Sequence, residues 1–274
     1  NAIRLLRSPM SAQIGMRAFL GDRRSSPSCL RACHSWPVSA TALDLPHRPA
    51  SELFDIPIDL AHPAELLRTI TAWATEGRTR RVMYVNAHVV NQSRATPGLA
   101  QALGRADLVY CDGYGVRLAA RVLNRPVPHR MTGADWIWGL ARLCELAGHP
   151  LYLLGSEPPL ASVAAARLRR FYPQLDVAGT HHGFFDLDSP HNERVIEHIS
   201  AHRPRIVLVG MGTPKQELWV DRYADRLDGA VVWTVGALFD YVSGHVPRAP
   251  RWLADNGLEL SLIHISEPTR QAEI

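Results

Sequence analysis

A carboxylate flanked by glycine is the first group in the sequence whose type and position suit chemistry. Asp112-Gly113-Tyr-Gly115 comes directly after the apolar run 107–111, which is typical of a short buried strand. Glycine lets a backbone approach a ligand closely, so Gly113 is a candidate substrate-binding residue. Asp112 is therefore a candidate general base at the end of a strand. A turn or a helix N-cap is the alternative explanation of an Asp at this position.

A glycine-rich turn provides a second candidate site, in the segment GMGTPKQ over residues 210–216. An apolar run precedes this turn, and a proline near the first helical turn predicts that a helix begins here. The N–H groups at such a helix start favour binding of a diphosphate. Lys215 is the one lysine among thirty basic residues, and it would add a compact positive charge. The candidate substrate-binding residues of this turn are Gly212, Thr213 and Lys215. The spacing matches neither a P-loop nor the dinucleotide fingerprint.

Two further polar segments precede predicted helices. Asn86 follows the strand-like run 81–85, where it suits a binding site. Helix N-capping is the alternative, and the two roles do not exclude each other. Arg130 and Thr132 precede a predicted helix over 135–147, and an arginine there suits a bidentate clamp on phosphate oxygens. A surface arginine without a ligand is the alternative for Arg130.

The adjacent pair His181-His182 resembles a metal site only superficially. Neighbouring residues on a strand point to opposite faces of the sheet, so we expect no metal there. The four cysteines show no metal-ligand spacing. We therefore expect chemistry that needs neither a metal nor a cofactor.

Short apolar runs alternate with segments of helical periodicity from residue 54 to residue 235. This alternation predicts an α/β fold, with a mainly parallel, Rossmann-like sheet covered by helices on both faces. In such sheets ligands bind beyond the carboxyl ends of the strands. The candidate residues above all follow predicted strands or precede predicted helices, so we expect them at one edge of the sheet.

Charge and hydropathy exclude several classes of function. The formal net charge is +4, but residues 1–50 contain seven arginines against two acids, so the rest of the chain is close to neutral. This distribution gives no support to nucleic-acid binding. No apolar run approaches the roughly 20 residues that cross a bilayer, so we expect any membrane contact to be peripheral.

With these segments in place, the chain resembles the WecG/TagA/CpsF glycosyltransferases (glycosyltransferase family 26). The resemblance extends over residues 54–259, and the order and spacing of several segments carry it together. The matching segments are Val85–Asn91, Ala106–Gly115, Arg130–Asp135, Leu153–Gly155, Gly179–Asp186, Gly210–Glu217, Gly236–Asp240 and Arg248–Trp252.

This resemblance implies an inverting transfer of N-acetylmannosamine, its uronic acid or glucose from a UDP-sugar. The implied acceptor is a saccharide on a polyprenyl diphosphate, in cell-surface polysaccharide or teichoic-acid assembly. By position, Asp112 matches the family's proposed catalytic base, and Asn86, Arg130 and Gln216 match residues of the donor pocket or of catalysis. Tyr84 stands where the family often has Thr. The implied location is cytoplasmic and peripheral to the inner face of the cell membrane.

Three segments are expected along the chain. Residues 1–50 are expected to be disordered or spuriously translated, and residues 51–259 to form the glycosyltransferase domain. Residues 260–274 read like the translation of a sequencing-library adapter. The family's C-terminal appendage, which touches the membrane, would then lie beyond Glu259. Whether the protein forms a homo-oligomer stays open.

Two other functions were weighed against sugar transfer. A nucleotide-sugar epimerase or dehydrogenase needs a G-x-G-x-x-G segment and a Tyr-x-x-x-Lys pair, and Lys215 has no Tyr four residues before it. A non-catalytic nucleotide-sugar-binding protein, or an inactive truncated fragment, is the alternative from a different class.

Overall fold

A computed structural model of the chain describes residues 50–125, 127 and 129–246, and the expectations for 1–49, 247–259 and 260–274 lie outside these residues. The described elements alternate between strands and helices for most of their length. They are β1 (Ala50–Leu53), β2 (Ile56–Asp59), α1 (Pro63–Glu76), β3 (Arg80–Val85), α2 (Ala87–Ala95), α3 (Leu99–Gly104), β4 (Leu108–Cys111), α4 (Tyr114–Val122), α5 (Gly133–Ala147), β5 (Leu151–Gly155), α6 (Leu160–Phe171), β6 (Val177–His181), α7 (Pro190–His202), β7 (Ile206–Gly210), α8 (Lys215–Tyr223), a 3₁₀ turn (Ala224–Arg226), β8 (Val231–Thr234) and α9 (Leu238–Ser243).

Six strands form one parallel sheet in the order β4-β3-β8-β7-β5-β6, which confirms the predicted α/β class and parallel sheet. Strands β4, β5, β7 and β8 are buried at every position, which explains why their sequences are continuous apolar runs. Helix α1 contacts α5, α5 contacts α9 and α9 contacts α6, so these four helices form one layer. Helix α2 contacts α3, and α3 contacts α8, so these three form another layer. The prediction of helices on both faces is also confirmed.

Aromatic side chains fill the centre of the core beneath β8. Trp233 is fully buried and stacks on Trp136 of α5 at 3.9 Å between ring centroids. Its indole N–H donates to the hydroxyl of Tyr110 at 3.2 Å, so the polar atoms of two large side chains satisfy each other. Strand β8 is thus anchored to the helix layer that contains α5.

An antiparallel hairpin, β1–β2, precedes the main sheet and was not predicted. Phe54 and Asp55 form its two-residue turn with φ of 57° and 62°, so the predicted strand over 54–58 begins two residues too early. At the end of β2, the Asp59 carboxylate accepts the backbone N–H of Val109 at 2.8 Å. Because β4 is an edge strand, this bond satisfies one of the N–H groups at the edge of the sheet.

Helix boundaries follow local capping signals. α1 begins after His62, whose ring accepts the N–H of Ala64 while Glu65 accepts the N–H of His62, and the helix ends at Gly77 in the left-handed region. The predicted helices 63–76 and 215–223 agree with the structure, whereas α9 was not predicted. Among the described residues, no helix is both long enough and apolar enough to cross a membrane.

Candidate active site

The carboxyl ends of β3 and β4 bring the first two sequence candidates together. Val85 and Cys111 are register partners, and the N–H of Asp112 donates to the carbonyl of Val85 at 2.9 Å. A Cβ built on Gly113 would lie 3.7 Å from Cβ of Asn86. Gly113 has φ of 102°, a conformation that L side chains rarely adopt, and it occupies the N-cap position of α4. Asp112 is therefore not the N-cap residue of this helix.

Asn86 is the N-cap of α2, which is the role left open in the sequence. Its side-chain oxygen accepts the N–H of Val89 at 2.9 Å. The bond fixes the orientation of the amide beside Asp112. Asn86 and Asp112 thus occupy neighbouring positions at the edge where parallel sheets bind ligands.

Arg130 reaches the same end of β4 from another part of the chain. The N–H of Met131 donates to the carbonyl of Cys111 at 3.0 Å, which attaches the arginine's segment to the strand. Only 11% of the Arg130 side chain is exposed, and its Nη2 lies 4.0 Å from Oδ2 of Asp135. The structure therefore places a largely buried guanidinium close to the strand end that carries Asp112.

The pKa of the Cys111 thiol depends on its burial and on the charges around it. Burial raises its pKa to about 12, the charge of Asp112 adds to the rise, and Arg117 and Arg130 oppose it. Asp112 and Arg130 both lie close enough to influence one buried group. A carboxylate and a guanidinium that are distant in sequence are thus neighbours at this strand end.

Thr132 and Gly133 form the start of α5. Thr132 is the N-cap, and its carbonyl accepts the N–H of Asp135 at 2.8 Å, while its side chain makes no capping bond. A Cβ on Gly133 would lie 3.2 Å from Cδ1 of Leu238 in α9. This close approach brings the Arg130 segment near the turn that follows β8.

A buried hydrogen-bond network joins β3, α8 and the turn after β8. Gln216 is fully buried, and its Nε2 donates to the hydroxyl of Tyr84 at 3.1 Å and to Oε1 of Glu217 at 2.7 Å. Its Oε1 accepts the N–H of Gly236 at 3.1 Å. Each end of the Gln216 amide is thus bonded within the protein, which suits a residue that positions the turns around the site.

Glu217 is a buried acid that the sequence candidates did not include. It is fully buried, its Oε1 also accepts the hydroxyl of Thr213 at 3.1 Å, and its Oε2 has no hydrogen-bond partner among the described residues. Burial raises its pKa to about 7, against smaller lowering effects from the hydrogen bonds of Gln216 and Thr213. Burial likewise raises the pKa of the Tyr84 phenol, and the charges of Glu217 and Asp112 raise it further. The network therefore contains a carboxyl group that titrates near neutral pH.

Lys215 holds a neighbouring loop at the start of α8. Its ammonium donates to the carbonyl of Gly183 at 2.8 Å and to the carbonyl of Phe185, and lies 4.9 Å from the centroid of the Phe185 ring. Burial lowers the pKa of the Lys215 ammonium, while the charge of Asp186 opposes that effect. Two of its three N–H bonds are used in this way, so contact with a donor diphosphate stays a prediction. At Gly212, with φ of 78°, an added Cβ would meet no atom within 4 Å, so the turn borders open space.

The expectation that His181 and His182 point to opposite faces is wrong. β6 ends at His181, so the alternation of a strand no longer applies to His182. The two ring centroids lie 4.4 Å apart, and both rings adjoin His191 of α7. The physical argument against a metal at this pair therefore fails.

Comparison with known proteins identifies the family of the chain. The model of the glycosyl transferase WecG/TagA/CpsF family matches residues 51–273. The chain belongs to this family. Relatives include the N-acetylglucosaminyldiphosphoundecaprenol N-acetyl-beta-D-mannosaminyltransferases of Staphylococcus aureus strains NCTC 8325 / PS 47 and COL. Each is 25% identical over 201 residues, covering 73% of this chain and 78% of the relative. The enzyme of that name from strain MRSA252 has the same identity and coverage.

Membership of the WecG/TagA/CpsF family makes the chain a glycosyltransferase of the hexosyltransferase type. The family resemblance predicts that Asn86, Arg130 and Gln216 belong to the donor pocket or act in catalysis. In the structure, these three residues lie in different environments. Asn86 and Arg130 lie at the carboxyl ends of β3 and β4, whereas Gln216 lies inside the protein. A cavity of about 210 Å³ lies between α2 and α4, and its lining includes Ala87 and Gly115.

Proposed function

We propose that this glycosyltransferase moves a sugar, with inversion, from a UDP-sugar to a saccharide on a polyprenyl diphosphate. The proposed sugars are N-acetylmannosamine, its uronic acid and glucose, and the proposed setting is cell-surface polysaccharide synthesis. The observation that carries the proposal is that Asp112 and the segment of Arg130 both lie at the carboxyl end of β4, where both charges act on Cys111. Inverting transfer needs both a base for the acceptor and a cation for the leaving diphosphate.

Asp112 is the proposed base. In an inverting displacement the acceptor hydroxyl loses its proton to a carboxylate as its oxygen forms a bond to the anomeric carbon. The bond from that carbon to the diphosphate oxygen breaks, and the leaving group departs as the nucleoside diphosphate. Gly113 has no side chain, so substrate atoms can approach the backbone beside Asp112.

Arg130 and the turn before α8 are proposed to receive the charge that develops on the diphosphate. A guanidinium that is largely buried acts with less screening from water than an exposed one. Asn86, Gly212, Thr213 and Lys215 are the proposed donor-binding groups, with Thr132 at the start of α5. Gln216 is proposed to act by holding the turns in place, because its amide is bonded internally.

The names of the relatives favour one donor and one acceptor. The Staphylococcus aureus enzymes are named for N-acetylmannosaminyl transfer to N-acetylglucosaminyldiphosphoundecaprenol. We therefore place UDP-N-acetylmannosamine first among the donors, and a lipid-diphosphate N-acetylglucosamine first among the acceptors. A lipid acceptor implies peripheral contact with the inner face of the membrane, and this contact is part of the proposal.

The test is a panel of UDP-sugars incubated with a short-chain lipid-diphosphate saccharide, with the product's anomeric configuration read by NMR. The chain is assayed both with and without residues 260–274, which we propose to be non-native. A disaccharide product whose transferred sugar has the inverted anomeric configuration, formed from one UDP-sugar, supports the proposal. Tight UDP-sugar binding without transfer by either chain would instead favour a non-catalytic binding protein.

A further inference from the structure

Three histidines form a cluster between β6 and α7. His181 ends β6, His182 follows it, and His191 lies in the first turn of α7. One ring nitrogen from each lies within 4.8 Å of the others, and all three side chains are partly buried. The ring centroids of His181 and His182 are 5.3 and 5.6 Å from that of His191. Two elements of the fold thus direct three imidazoles to one point.

The chemistry of the donor set selects the kind of ligand. Zinc binds imidazole nitrogen at about 2.0–2.1 Å, so the nitrogens of a tetrahedral site lie about 3.4 Å apart. The three nitrogens lie within 4.8 Å of one another, so metal binding would draw them closer by up to about 1.4 Å. Imidazole suits zinc, copper and nickel, whereas magnesium and calcium take oxygen ligands. Three nitrogens also leave a fourth position for water.

Existing hydrogen bonds favour metal binding by His181 and compete with metal binding by His182. Nδ1 of His181 lies 2.7 Å from the carbonyl of His182, so Nδ1 carries the proton and the lone pair of Nε2 is left for a metal. Nδ1 of His182 accepts the N–H of Phe184 at 3.2 Å, a long bond that a metal at this nitrogen would replace. Neutral imidazole is the form that binds metals.

We propose that His181, His182 and His191 bind one zinc-type transition-metal ion. The positive charge of the nearby Lys215 ammonium repels a metal cation at this site, and the negative charge of Asp186 offsets part of that repulsion. The metal would join the end of β6 to the start of α7. It would thereby fix the loop whose carbonyls at Gly183 and Phe185 bind Lys215.

This site is separate from the proposed transfer centre. β4, which carries Asp112, and β6 are the two edge strands of the six-stranded sheet. With strands about 4.8 Å apart, the two strand ends are about 24 Å from each other. The metal would therefore act on the order of the loop and of Lys215, not on the reacting carbon. The inference stands without the proposed function.

The experiment titrates tag-free full-length protein with zinc chloride by calorimetry, and with cobalt(II) by visible absorption. We expect one equivalent of zinc per chain, and a cobalt spectrum typical of tetrahedral nitrogen coordination. His191→Ala and His182→Ala should each weaken zinc binding about tenfold or more, since even outer partners of a metal ligand cost that much. Circular dichroism checks that both variants are folded.

His202→Ala is the matched control. His198 and His202 are neighbouring histidines of α7 outside the cluster, with ring centroids 4.3 Å apart. The control should retain the zinc affinity of the unaltered protein. The proposal is overturned if His191→Ala and His182→Ala both bind zinc as tightly as that protein. Loss of the single equivalent in His202→Ala, or binding only at millimolar zinc, overturns it as well.

Discussion

The two halves of the sheet's carboxyl edge use polar residues in opposite ways. After β3 and β4, Asp112 lies beside Gly113, whose missing side chain leaves room for a ligand, and the segment of Arg130 is bonded to the end of β4. After β7 and β8, the polar side chains of Gln216 and Glu217 are fully buried and bonded to each other. The first half suits contact with substrate, and the second suits positioning. The same edge of the sheet thus combines residues of two different kinds.

Asp112→Asn gives the largest effect that this comparison predicts. Loss of the base should lower kcat by about 10²-fold or more, while the donor affinity changes little. Steady-state kinetics and calorimetry with the donor measure the two quantities. Asp225→Asn, on an exposed side chain, is the control and should retain full activity. A variant at Asp112 with unchanged kcat would remove this residue from the role of base.

Arg130→Ala should lower kcat by about 10²-fold, because charge on the departing diphosphate loses its buried cation. Arg130→Lys should restore only part of the rate, since an ammonium does not reproduce a planar bidentate donor. Arg222→Ala, in an exposed ion pair with Asp188, is the control. Equal kcat values for the Ala and Lys variants would show that a positive charge alone at this position does not raise the rate.

Glu217→Gln tests the buried half through its pH dependence. The pKa of Glu217 is raised in the folded protein, from 4.5 to about 7, so its ionised form is the less stable one. Stability contributed by the proton is therefore present below about pH 4.5 and lost as the pH rises through 7. At pH 8 the variant should be more stable than the unaltered protein by up to about 3 kcal/mol, and at pH 5 by little.

Urea unfolding of both proteins between pH 5 and 8 measures this difference. The Gln side chain keeps an acceptor for the hydroxyl of Thr213 and for the amide of Gln216. If the two stability curves run parallel over this range, Glu217 does not titrate there and the positioning network is not sensitive to pH.

Lys215→Ala gives the smallest effect. We expect the donor to bind about tenfold more weakly, the loss typical of one charge-assisted hydrogen bond. The loop at Gly183 and Phe185 should also become more accessible to protease, because it loses two bonds. Calorimetry and limited proteolysis separate the two effects. Faster proteolysis with unchanged donor affinity would assign Lys215 to the loop alone.

The parallel sheet, and the meeting of Asn86 and Asp112 at its carboxyl edge, were predictable because they depend on local sequence patterns. Strand runs that end in Asn86 and Asp112 must meet at one edge when the strands are parallel. The burial of Glu217 was not predictable, since an acid in a helix's first turn is usually explained by the helix dipole. The bonds from Lys215 to carbonyls about thirty residues away depend on tertiary packing, and so does the grouping of His181 with His191.

The bond from Asp59 to Val109 has a consequence for self-association. An edge strand with open N–H groups is a place where a second molecule can add a strand and extend the sheet. Here a copy arriving alongside β4 would have to displace a carboxylate that the β1–β2 hairpin holds in position. Any assembly of this protein would therefore meet less resistance at its helical surfaces than along this strand.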